Sequence, residues 1–130
     1  MHLPGISSYL VFLLSGFGLL LAFMLIYTKT TVINEFQLIK EGNIAAALSL
    51  AGAVLGFSLT LASSALHSNG IVPYLLWASV AMVIQLLTYL LVSRCFPTLN
   101  TELANNNAAM GLLVGTISLT TGIINAACLS

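Results

Sequence analysis

The sequence predicts an all-α integral membrane protein, four membrane-spanning helices built as two tandem helical hairpins in a parallel repeat. Three observations carry that prediction. Hydrophobic residues make up 59% of the chain, charged residues only 5%, and mean hydropathy is +1.09, whereas a soluble domain carries about a quarter charged residues. Four long apolar runs contain no Asp, Glu, Lys or Arg. The two halves of the chain can be overlaid on one another.

The runs are placed at about 6–27, 44–66, 71–92 and 108–129. Each is near the roughly 20 residues that an α-helix needs to cross about 30 Å of hydrocarbon. The segment 28–43 separates the first two, His67 to Gly70 makes a tight turn, and 94–107, holding Pro97, separates the last two. The first run has no basic segment before it and exceeds the roughly 7 to 15 residues of a signal-peptide core, so it is expected to stay as a mature helix. Tyr27, Tyr74 and Trp77 sit near predicted helix ends, where amphipathic rings suit the headgroup level or serve ordinary packing.

Lys29, Glu35, Lys40 and Glu41 fall in the first loop, Arg94 and Glu102 in the third. With four spans these loops share one side, and the positive-inside rule makes that side cytoplasmic and both termini periplasmic. Cys95 and Cys128 then lie at opposite ends, too far apart for a disulfide, which needs Cα atoms within about 7 Å. A net charge of zero supplies no basic patch, so nucleic acid is not a partner.

At an offset of 64, Asn43, Ala45 and Leu48 meet Asn107, Ala109 and Leu112; at 63, Gly52 meets Gly115. The whole chain is therefore one transmembrane domain of two units, about 1–66 and 67–130. Units with an even number of spans insert in the same orientation, which makes the repeat parallel. The first and third runs are dense in Leu, Ile, Phe and Val, the second and fourth in Ala, Gly, Ser and Thr. Small residues let helix backbones approach closely in lipid. Gly52 and Gly56 make one such face, and Gly111, Gly115 and Gly122 another. The second and fourth helices are expected to form the inner pair, although the same stripes would also serve contacts between copies in a homo-oligomer.

No Asp occurs, the histidines are at 2 and 67, and no Ser-His-acid, Cys-His or metal-ligand cluster stands out. No catalytic role, metal or cofactor is expected. Gln85 and Asn125 lie within spans and need hydrogen-bond partners there. With Asn43 and Asn107 they are candidates for a polar lining, the last two also being good helix N-caps. The first loop holds a short interfacial helix, Asn34 to Glu41, with Glu35, Lys40 and Glu41 on a solvated face. Glu35, Phe36 and Lys40 are candidate contacts for a cytoplasmic protein partner.

Tyr27-Thr28-Lys29, Asn34-Glu35-Phe36-Gln37-Leu38-Ile39, Asn43-Ile44-Ala45-Ala46 and the closing Gly122-Ile123-Ile124-Asn125-Ala126-Ala127-Cys128 resemble the YjfL family, also called DUF350 or UPF0719, across essentially the whole chain. The resemblance implies a multi-pass protein of the bacterial inner membrane with two copies of the family unit, and no catalytic residues. Members are often encoded beside membrane-stress proteins and ATP-grasp enzymes. Two readings stay open: an oligomeric pore or permease for a small solute, and a membrane anchor or scaffold that recruits a cytoplasmic partner such as an envelope-stress factor.

Overall fold

The computed structural model describes residues 5–31 and 33–129; His2 lies outside them. Four long helices and two short ones follow in the order α1 (Ile6–Thr30), α2 (Glu35–Lys40), α3 (Ile44–His67), α4 (Ile71–Cys95), α5 (Leu99–Ala104) and α6 (Ala108–Cys128). The four long helices are long and apolar enough to cross a membrane. They begin where the apolar runs begin. α1 and α4 continue about a turn past their expected ends, so Lys29 and Arg94 stand in last helical turns rather than in loops, where a cation suits the negative end of the helix dipole.

Asparagine side chains start three of the helices. Asn34 accepts from Gln37 N, Asn43 from Ala46 N and Asn107 from Met110 N, each satisfying a backbone donor that the first turn leaves free. The chain turns from each short helix into the next long one through a left-handed residue, Gly42 at φ 85° and Asn106 at φ 62°. Glycine and asparagine are the residues that enter that region at least cost. α5 was not expected from the sequence, where Pro97 reads as punctuation of a loop.

α3 is the central helix. One face of it is buried from Ala45 to Ser64, mostly small residues (Ala46, Ser49, Gly52, Ala53, Gly56, Thr60 and Ser63) with Leu50 and Phe57. α6 runs parallel to it: Gly111 lies against Ala45 at one end, and Ser63 Oγ donates to Ala126 O at the other (2.7 Å). α4 buries Tyr74, Ala78, Ala81, Gln85, Tyr89 and Val92, three or four residues apart and so on one helical face. α1 is peripheral and buries only Phe23 and Tyr27. Phe23 stacks on Phe57 with ring centroids 4.6 Å apart, and Tyr27 meets Tyr89 edge-on at 5.4 Å. The outward Leu, Ile and Val side chains of α1 and α4 need a hydrocarbon solvent, which the bilayer supplies.

Candidate functional site

The seam between α3 and α6 is made by the glycines. A Cβ at Gly52 would run into the carbonyl and Cα of Gly115, one at Gly111 into the backbone of Ala45, and one at Gly122 into the backbone of Gly56. A Cβ at Gly56 would lie 2.6 Å from Ser118 O. All five glycines thus serve contact within one chain. Two hydroxyls fasten the same seam: Thr60 Oγ1 donates to Gly56 O on its own helix (3.1 Å) and to Gly122 O across it (3.0 Å), and Ser63 bonds Ala126. Backbone fills the bundle axis here.

The four amides of the expected polar lining do not converge. Asn43 is buried at the start of α3, where Nδ2 donates to Leu103 O (2.9 Å) and Ala104 O (3.3 Å) at the end of α5. Asn107 caps α6 and donates to Glu102 Oε2 (2.7 Å). Gln85 is buried midway along α4, donating to Ser118 O (3.2 Å), with Oε1 unpartnered. Asn125 lies at the far end in a cleft of about 330 Å³ shared with Ser64, His67, Ser68, Trp77 and Cys128. Its Nδ2 has no partner.

The charged end is the more elaborate one. Asn106 Oδ1 accepts from Ala45 N (3.1 Å), so the α5–α6 turn helps cap α3, as Asn43 in return holds the end of α5. The two charged loops are therefore locked together.

Glu35 is a correction to the sequence reading. It is 2% exposed and points inward, while its neighbour Phe36 is 40% exposed and Lys40 and Glu41 face out. In a six-residue helix one residue changes direction by about 100°, and the apolar Phe, not the acid, turns outward. Glu35 faces Tyr27 of α1 and Tyr89 of α4, close enough to act on both electrostatically. Tyr89 donates in turn to Asn100 Oδ1 of α5. Burial pushes the Glu35 carboxyl above the ordinary carboxylate range, and hydrogen bonds from the Thr31 hydroxyl and its own backbone N–H pull it partly back. One carboxylate oxygen, Oε2, has no partner.

Sequence reasoning missed Tyr27 as a buried polar group, and it missed Tyr89, Asn100 and Asn106. Only Asn106 carried a signal, since the offset of 64 places it opposite Gly42. Among the described residues no group of three or more His, Cys, Asp or Glu is placed to hold a metal ion.

Comparison with known proteins agrees with the architecture. Residues 1–129 match the family described as Domain of Unknown Function (DUF350). The chain is 38% identical over 131 residues to the UPF0719 inner membrane protein YjfL of Escherichia coli K12, covering 100% of this chain and 99% of that one. The O157:H7 counterpart matches to the same extent. The UPF0719 transmembrane protein YshE of Bacillus subtilis 168 is 24% identical over 110 residues, covering 83% of this chain and 82% of its own. No solved structure matches. Four apolar helices and a match over nearly the whole length lead to one conclusion: the chain is a membrane protein of the DUF350, or UPF0719, family.

Proposed function

We propose that this is a multi-pass protein of the bacterial inner membrane with both termini periplasmic, and that its charged, cytoplasmic end is a docking platform for a soluble protein. The observation that carries the reading is the outward pairing on α2 of a large apolar side chain, Phe36, with a cation, Lys40. Both stand on an end braced by the Asn43 and Asn106 bonds. An exposed aromatic beside a charge on a rigid support suits an interface anchor. Glu35 leaves the set of contact residues because it is buried.

The rival reading, a pore assembled from several copies, draws on Asn43, Gln85, Asn107 and Asn125. Their scatter between the two ends and the middle of the bundle gives it no support. The glycine stripes, which were open to use between copies, are occupied inside the chain. We also read the protein as no enzyme.

We also read the chain as two tandem units, 1–66 and 67–130. In support, α1 and α4 each have 25 residues, α2 and α5 each have 6, and both short helices lead through a left-handed residue into an asparagine cap.

A photo-reactive amino acid at position 36 tests the docking reading in living cells. One cytoplasmic protein should be cross-linked, with its yield falling about tenfold in a Lys40→Glu background, the equivalent of about 1.4 kcal/mol of binding. Gln85→Leu should leave the yield unchanged. Cross-links to lipid alone would overturn the reading, and solute flux in liposomes that disappears with Gln85→Leu would favour the pore.

A further inference from the structure

We propose that Glu35, with the hydroxyls of Tyr27 and Thr31, forms a binding site for one small monovalent cation, a proton or an alkali ion, taken up at the charged end of the bundle. The site stands apart from the docking reading and does not depend on it.

Two buried oxygens lie at this end. Glu35 Oε2 has no hydrogen-bond partner, and the Tyr27 hydroxyl, with only the Ser49 hydroxyl beside it, is within reach of the Glu35 charge. Buried polar atoms in folded proteins are almost always paired, and an orphan calls for an explanation such as a bound ion. Nothing nearby neutralises the carboxylate. The groups that face it are Tyr27 from α1 and Tyr89 from α4, with Ser49 of α3 beside Tyr27. Tyr89 is committed to Asn100. Among the described residues no lysine or arginine acts on Glu35, and Lys29 and Lys40 are exposed.

A carboxylate shut away from water without a counter-charge is unfavourable, so it holds a proton or recruits a cation. The ligand set is all oxygen, which suits a proton or a hard cation and not a soft metal. The Thr31 hydroxyl shares its one hydrogen among Thr28 O, Ile33 O and the Glu35 carboxyl, and its oxygen keeps lone pairs for a positive ligand. The position explains how a ligand would arrive. Glu35 is the first residue of a short helix outside the spans, so a small movement of α2 would open the pocket to water at the charged end.

The test is thermal unfolding of the nanodisc-embedded protein across pH, in choline chloride and then in sodium chloride. The folded state holds its proton at higher pH than the unfolded chain does, so between the two it binds more protons and stability falls as pH rises. The wild-type midpoint temperature should therefore drop as pH climbs from the ordinary glutamate value of 4.5 through the raised one, and Glu35→Gln should remove that drop. If sodium restores the wild-type temperature above this window and leaves Glu35→Gln unmoved, the ligand is an alkali ion. A drop that sodium does not reverse identifies the proton. Wild-type and Glu35→Gln profiles that coincide in both salts overturn the site. Should Glu35→Gln fail to fold, Tyr27→Phe keeps the ring and removes one ligand oxygen. It should move the midpoint of the pH or sodium titration severalfold in concentration, and an unmoved midpoint overturns the proposal.

Discussion

Gly52→Ala is expected to destabilise the protein by about 3 kcal/mol or more, at the upper end of what overpacking usually costs, and Gly18→Ala to leave stability close to wild type. At Gly52 the added methyl group would meet the carbonyl oxygen, carbonyl carbon and Cα of Gly115. Those are backbone atoms of a helix and have no rotamer to change, so α3 and α6 must separate. Separation lengthens the bonds that Thr60 and Ser63 make to Gly122 and Ala126. It also loosens the packing that replaces a hydrophobic drive between helices in lipid. At Gly18 nothing lies within 4 Å of the new atom. Unfolding of both variants in detergent, followed by circular dichroism, measures the difference. Equal midpoints would mean that the two backbones are not in contact at Gly52.

Asn43→Ala should cost about 2 to 4 kcal/mol, and Asn107→Ala about 1. Both lose an N-cap, but their other bonds differ in burial. Asn43 is 7% exposed, and its amide is the donor to two carbonyls at the end of α5. Removing it takes a buried donor from both, leaving Leu103 O only its backbone partner Asn106 N, and orphans the Ala46 N–H at the same time. Asn107 shares its amide with Glu102, a partly exposed acid that water can serve instead. Asn43→Asp separates the two parts of the larger effect, keeping the acceptor for Ala46 N and losing the donor to α5. It should recover about 1 kcal/mol of the loss. If both alanine variants unfold alike, Asn43 is no more than a cap.

The spans were legible because lipid removes the ambiguity of ordinary sequence reading: a run of some twenty residues without a charge has few other uses. α2 was also legible, since Asn34 announces its cap and Gly42 its end. α5 was not, because Pro97 and Thr98 suggest a turn and its left-handed residue is Asn106 in place of a glycine. Overlaying α2 on it at the offset that already aligned Asn43 with Asn107 would have shown it. The burial of Glu35 was beyond reach. The direction of its side chain is set by Tyr27 and Tyr89, which come from two other helices, and nothing in Glu-Phe-Gln-Leu-Ile-Lys says which side of a six-residue helix those rings will cover. The scatter of the four amides within the chain was hidden for a related reason. Four amides can be listed from a sequence, but whether they meet depends on the register of α4 against α6 and on which of them are used as caps.

Cys95 closes α4 at the charged end and Cys128 closes α6 at the opposite end, and both thiols are free and exposed. The native chain thus carries a chemical marker at each mouth of the bundle. One reagent that cannot pass the bilayer, applied from one side, distinguishes them, so the orientation in a living membrane is readable from the unaltered protein without grafting a reporter onto either terminus.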